Sequence, residues 1–571
     1  MSMACLILAI LLIAPPSSAI CYEPSPAFPV PQWEHNSPAL LASLDTIEKA
    51  LTPVLNLDEY DSASVSIELT TSSRTIWSRH HSPRVFDEQR PGTKHVDSES
   101  VYRVASITKV FTTLGILFQH QARNLSLDDS IDKYVPELDG EMAWHDITLR
   151  ALASQLSGIP REFAQSDILD EFLDPTKLGL PPSSKQGLPK CNGYSINSRS
   201  CEKSDLINRL NTLQPVFAPG WKSSYNNNAF SLLGLAIEAV TGQAFAEYMA
   251  NVVFEPLGMS SSSFKPPQSD RHVVLPANQS FYFDVDDGVE APNGGMYSTS
   301  ADMSRFLRFA MTHYNRLAIG INWFLPVSWA EGSLGSFYGM PWEIFRTDRI
   351  LNSTNRPVTL VTKTGNLPGY SSKIYILQEY GLGLTILVSG KRKLVDLLED
   401  IVLVNIARAA EQEVWQTISH THAGDYNDID PNINTSLQLR ASSKSGLELK
   451  SFISNGTDAF DTFMPIFAEA LLGNNVTWRV QLTPTQLYNN TTSQQGEIWY
   501  AVPVPDQSPK PEDPPLVQHC RPTIDPFVYA GQPVMQLIFW PEQRVIDMPA
   551  WNVSVGASFR HGTEPMLVIQ E

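Results

Sequence analysis

Residues 20–415 read as an α+β domain, an antiparallel sheet flanked by helices with a helical region beside it, and residues 420–571 read as a β-rich accessory domain. Three observations predict this. Strand-like pairs around polar turns stand at 64–78 and 371–388, with long apolar helical patterns between them. A chain of 571 residues exceeds what one hydrophobic core comfortably covers. After residue 415 the pattern changes to short strands parted by polar turns.

Residues 1–19 have the form of a signal peptide: Leu6 to Ala14 is the apolar core, and Ser17-Ser18-Ala19 is a small-residue cleavage pattern. The run is too short to span a bilayer, and no later stretch approaches 20 unbroken apolar residues. A soluble, secreted, extracellular protein is expected. Residues 20–36 are rich in Pro and predict an extended surface segment. Leu40 to Leu55 predicts a helix. Ser64 to Leu69 and Arg74 to Ser78 predict a hairpin around Thr-Ser-Ser, with His80, His81 and His95 in a polar loop that lacks metal-ligand spacing. Val110 to Gln119 predicts a buried helix, and Asp128 or Asp129 a helix N-cap after it. Phe163 to Gly193, polar and rich in Pro and Gly, is an excursion expected to wall a cleft or to decorate the surface. Helices follow at Phe230 to Met249, Asp302 to Met311 and Leu394 to Ala409, and strands at Ser371 to Gln378 and Leu382 to Val388. The accessory domain is expected to use strands at 437–439, 447–453, 477–482, 498–502, 534–539 and 553–559, as a small barrel or sandwich.

The formal charge of -19 argues against nucleic acid and anionic membrane as partners, and an acidic surface that aids solubility is its plain explanation; the expected partner is a small-molecule or short-peptide substrate. No metal and no cofactor are expected. Once the leader is removed, Cys21, Cys191, Cys201 and Cys520 remain, an even number suited to an oxidising compartment. Three pairings are possible. Closeness favours Cys191–Cys201 and leaves Cys21–Cys520. Asn-x-Ser/Thr sites at Asn124, Asn278, Asn352, Asn434, Asn455, Asn475, Asn489, Asn490 and Asn552 are glycosylation candidates behind a signal peptide. Such a protein fits a eukaryotic, fungal source.

The chemistry gathers in three stretches. Arg103-Val104-Ala105-Ser106-Ile107-Thr108-Lys109 heads the buried helix, so Ser106 sits near its N-terminus with Lys109 three residues on, on the same face. That suits a nucleophilic hydroxyl beside an amine base, with free N–H groups and the positive dipole end near a developing oxyanion. Alone, the pair reads more readily as an ordinary capping serine and a solvated lysine. Ser223-Ser224-Tyr225-Asn226-Asn227 precedes an apolar helix and would otherwise be a turn. Lys363-Thr364-Gly365 closes the strand-like run from Pro357 to Thr362, with Asn366-Leu367-Pro368-Gly369 as the turn after it.

Ser-x-x-Lys, Tyr-x-Asn and Lys-Thr-Gly, in that order, resemble the serine β-lactamase and penicillin-binding-protein superfamily, nearest its class C β-lactamase, D,D-carboxypeptidase and family VIII esterase branch. Leu156-Ser157-Gly158-Ile159-Pro160, Pro256-Leu257-Gly258-Met259 and Gly294-Gly295-Met296-Tyr297-Ser298-Thr299 support the likeness, which covers roughly residues 30–412. It implies a β-lactamase/transpeptidase-like fold and a serine hydrolase acting on an ester, lactone, amide or β-lactam through an acyl-enzyme. Ser106 is then the nucleophile, and Lys109 and Tyr225 the acid–base pair. Lys363 is the second cation and the grip for a substrate carboxylate. Asn227 orients Lys109 and the acyl amide, Thr364 and Gly365 complete the motif, and the N–H groups of Ser106 and Asn366 hold the oxyanion. An acyltransferase or cyclase on the same machinery, and a catalytically silent binding protein, are the alternatives.

Overall fold

The computed structural model of the chain describes residues 30–31, 33, 37–164, 168–170, 174–184, 186–192, 198–352, 356–430, 432–443, 445–474, 476–506 and 527–557. The expected leader, the Cys21–Cys520 pair, Asn475 and parts of the 163–193 excursion lie outside the described residues. Two compact units emerge. One comprises Ala42–Thr347 and Val358–Ile406; the other comprises Asp348–Pro357 and Ala407 onward, with the residues up to Leu41.

In the first unit eight antiparallel strands form one sheet. They are β1 (Ser64–Thr71), β2 (Thr75–His81), β3 (Ser328–Trp329), β4 (Ser336–Tyr338), β5 (Glu343–Thr347), β6 (Val358–Leu367), β7 (Tyr370–Leu377) and β8 (Leu382–Ser389). Their order is β2-β1-β8-β7-β6-β5-β4-β3. β1 alternates Val65, Ile67 and Leu69 with Ser66, Glu68 and Thr70, which alone reads as a strand with one wet face. All of it is nevertheless buried. The helix Ser300–His313 covers the polar face, where Ser300 and Ser304 donate to Glu68 at 3.1 and 2.7 Å. Burial of a carboxyl is tolerable when it is hydrogen-bonded in this way.

The register carries that face across to Lys363-Thr364-Gly365. Glu68, Thr385, Ile374 and Lys363 stand in one row, and Ser66, Leu387, Ser372 and Gly365 in the next. Lys363 and Gly365 therefore look to the side on which Ser372 donates to Val104 O at 2.8 Å, and Thr364 looks away. Below this face the buried helix Thr108–Gln121 packs against Asn228–Thr241 and the short turn Ala291–Gly294. The approach is close: a Cβ on Gly234 would lie 2.3 Å from Pro292 Cγ.

Several elements differ from expectation. The helix expected over 230–249 ends at Gly242, in the left-handed region at φ 67°, and restarts at Phe245–Met249; the two pieces are bent by 80°. Gly242 lets the chain turn where any Cβ would be strained. His80 and His81 lie on β2, not in a loop. Asp129 accepts Ser126 N at 2.8 Å and Asp128 pairs with Arg150 at 2.8 Å, so they brace a turn and neither caps a helix. The helix begun at Lys393 runs to Thr421, well past Ala409, and the division between the units falls within it.

In the second unit the strands follow the order Ser436–Ser442, Gly424–Asp428, Val553–Ala557, Val545–Met548, Gln536–Trp540, Gln495–Pro505, Trp478–Asn490 and Gly446–Ser454. Gly446–Ser454 also pairs back onto Ser436–Ser442, which closes a barrel. Leu439, Phe452, Leu482, Trp499, Leu537 and Val555 fill it. Two of these strands and a helix were not foreseen. Gly424–Asp428 buries only Tyr426 and so shows no period, and Val545–Met548 alternates over only four residues, too short a run to read. The helix Phe463–Leu472 contains Pro465, which its first turn tolerates because that N–H has no helical partner. The segment 348–357 also belongs here, with Arg356 paired to Glu411 Oε1 at 3.2 Å.

Candidate active site

Ser106 lies in a 3-10 turn, Ala105–Ile107, one turn before the α-helix rather than inside it. It is the one partly exposed residue in the buried run from Val101 to Leu117. Ala105 is left-handed at φ 50°, a conformation costing a non-glycine residue about 1–2 kcal/mol. Its surroundings hold it there. Thr108 Oγ1 donates to Ala105 O at 2.6 Å, and Val104 N donates to Met296 O at 3.1 Å.

Lys109 is fully buried, and its Nζ lies 3.2 Å from Ser106 Oγ and 2.6 Å from Asn293 O. Burial pulls the ammonium below its usual range, and Lys363 adds to the pull against the opposing effect of Tyr225. An amine so placed can receive the Ser106 proton.

Tyr225 sits among three cations. Its ring centre is 5.2 Å from Lys109 Nζ, 5.1 Å from Lys363 Nζ and 5.0 Å from the Arg161 guanidinium. Burial pushes the phenol up, but Lys109 and Lys363 outweigh it and hold it below its ordinary value. Asn226 fixes the loop that carries it: its amide donates to Ile159 O at 2.6 Å and Pro160 O at 2.8 Å, and its Oδ1 accepts Ala229 N at 2.7 Å. The last bond caps the helix that follows.

β6 runs on through Lys363-Thr364-Gly365 to Leu367, so the motif lies within the strand and the turn is left to Pro368 and Gly369. A Cβ on Gly365 would stand 2.2 Å from Val104 O and 3.1 Å from Ser106 N. Only glycine lets the strand come this near the Ser106 amide, which brings the Asn366 end of β6 beside it. An open pocket of about 410 Å³ is lined by Asn366, Leu367, Pro368, Ser371 and Arg392 among others, and Ser106, Lys109 and Tyr225 are not part of its lining.

Two placements differ from expectation. Asn227 donates to Glu162 Oε1 at 2.5 Å, and it is the carbonyl of Asn293 that steadies Lys109. Lys363 Nζ is held by Glu343 Oε1 at 2.5 Å and Thr364 O at 2.9 Å. Burial lowers Lys363, but Glu343 and Tyr225 raise it more, so it stays a firm cation. Glu162, Arg161, Asn293 and Glu343 escaped sequence reasoning. Asn293 immediately precedes the Gly294-Gly295 stretch already singled out, and Glu162 heads the excursion. Glu343 carries no local signal.

The family described as "Beta-lactamase" matches residues 47–409. The chain belongs to the beta-lactamase family. A second family, described as "Beta-lactamase-like-like, C-terminal domain", matches residues 414–557. Among relatives, "Probable hydrolase M10" of Phoma sp. is 31% identical over 531 residues, 90% of this chain and 87% of that protein. "Probable hydrolase clz13" of Cochliobolus lunatus is 30% identical over 554 residues, 92% of this chain and 88% of that one. Among solved structures, a beta-lactamase/D-alanine carboxypeptidase from Yersinia pestis aligns with TM-score 0.48 and 19% identity, over 64% of this chain and 99% of its own. This beta-lactamase-like protein is a serine hydrolase.

Elsewhere in the chain, Cys191 and Cys201 form a disulfide with Cα atoms 5.0 Å apart. Asn124, Asn278, Asn352, Asn434, Asn455, Asn489, Asn490 and Asn552 are all exposed. No single described helix is long and apolar enough to cross a membrane.

Proposed function

We propose that this protein is a secreted hydrolase that cleaves an ester, lactone, amide or β-lactam through an acyl-enzyme on Ser106. The observation that carries the reading is the buried Lys109 amine 3.2 Å from a partly exposed serine hydroxyl. Ser106 Oγ attacks the carbonyl and its proton passes to the Lys109 and Tyr225 pair, which titrates as a unit with Lys363. The oxyanion is held by the N–H groups of Ser106 and Asn366. Tyr225 returns the proton to the leaving group, and a water then releases the acyl group by the same route in reverse. Asn227 Oδ1 and Asn366 Oδ1 are shielded and have no partner among the described residues, which suits them to accept from a polar substrate. A leader-like N-terminus and exposed Asn-x-Ser/Thr motifs support secretion.

Intact-protein mass followed by peptide mapping tests the reaction, with a panel of β-lactams, D-amino-acid peptides, esters and lactones. An adduct on Ser106 is expected, absent from Ser106→Ala and formed at least about 100-fold more slowly by Lys109→Ala. An adduct elsewhere, or turnover surviving Ser106→Ala, overturns the mechanism.

A further inference from the structure

The Lys363 site contains a partner that the Lys-Thr-Gly motif alone does not foretell. Glu343 enters from β5 and uses both carboxylate oxygens: Oε1 accepts from Lys363 Nζ at 2.5 Å, and Oε2 accepts from Thr364 N at 3.0 Å. These are the two adjacent donors, one charged and one from the backbone, that an incoming carboxylate would need for a two-point grip. Lys363 has no exposed side-chain surface, whereas 27% of Glu343's is exposed, so the partner that meets solvent is the anion. Tyr338, half-buried nearby, has its phenol pushed up first by burial and then by the Glu343 charge.

We infer that Glu343 occupies the Lys363–Thr364 carboxylate seat from within the protein, so the enzyme takes acyl donors that are uncharged at the end lying against β6. The inference rests on the Ser106 reading and narrows its substrate class. A carboxylate-bearing substrate would have to displace Glu343 from two hydrogen bonds or approach it as a like charge, and unpaired like charges discriminate strongly between partners. A neutral ester or lactone meets neither obstacle.

The test uses 4-nitrophenyl esters with acyl chains of five to eight carbons, each ending as a methyl ester or as the free carboxylate. They are turned over by the full chain and by Glu343→Gln and Glu343→Asp. Wild type is expected to favour the methyl ester in kcat/KM by at least about 10-fold. Glu343→Gln should erase most of that preference through the KM of the acid, while Glu343→Asp, which keeps the charge, retains it. Every other cation, Arg392 included, is constant across the comparison. Wild-type preference for the acids, or a ratio unmoved in Glu343→Gln, overturns the inference while leaving Ser106 as nucleophile. If Glu343→Gln does not fold, the wild-type ratio decides alone. Absence of any Ser106 adduct from the series in intact-protein mass overturns the Ser106 reading, and this inference with it.

Discussion

Replacing Lys363 by Met should move the acid limb of the pH–rate profile upward by about one pH unit. Lys109 and Lys363 stand 5.2 and 5.1 Å from one ring centre, so their charges are at most about 10 Å apart. At an effective dielectric of about 20, that separation gives about 1.7 kcal/mol of repulsion, or roughly one pH unit. Lys109 is held low first by burial and then by Lys363, so removing Lys363 raises it. Tyr225 rises as well, since it loses a cation and keeps Glu343, whose charge also pushes it up. Both changes have the same sign. A general base must be unprotonated, so a higher pKa means that activity appears only at higher pH. The assay is kcat/KM for a neutral nitrophenyl ester from pH 5 to 10, with circular dichroism to confirm folding. An acid limb that stays in place, or moves down, refutes the coupling of the two lysines through this site.

Three further outcomes are expected. Gly365→Ala would place a Cβ 2.2 Å from Val104 O and 2.5 Å from Ser372 Oγ, so the strand must withdraw from the nucleophile. Overpacking of this kind costs about 1–3 kcal/mol, and ester turnover should fall at least tenfold more than thermal stability explains. Asp287→Asn removes the anion beside Arg103, whose other hydrogen bonds go to the carbonyls of Tyr282, Phe283 and Val285, at 3.2, 3.4 and 3.2 Å, and to the Tyr297 hydroxyl. Leaving that guanidinium buried and uncompensated should cost about 3–5 kcal/mol, read as a lower denaturant midpoint at constant m. Breaking Cys191–Cys201 by Cys→Ser at both positions releases a loop spanning a separation of 10 residues. Loop-closure entropy puts the loss near roughly 3 kcal/mol, measurable by calorimetry, and reductant should then have no further effect on that loop.

How much was legible depended on range. The β1–β2 hairpin and the β7–β8 pair follow from local alternation and a polar turn, and both were expected within a few residues. Phe230 to Met249 looked like one helix because hydrophobic period does not register a single Gly242. The barrel strand Gly424–Asp428 has one buried residue, Tyr426, so no pattern existed to read. At the site, Ser106 and Lys109 are close because three residues of helical turn make them so. Asn227 was matched to Lys109 by motif, yet its amide reaches Glu162, which belongs to another loop.

The order of residues was enough to specify the local turn that pairs a serine with a lysine, and the α+β class. Those properties are set by neighbours within a few positions. Folding alone decided the electrical state of the site. Lys109 is held below its usual range because burial and a second lysine oppose its charge, and Lys363 remains a cation because Glu343, 20 residues away, crosses from β5 to meet it. Desolvation and strand register arise only when distant segments pack, so no local motif can carry them.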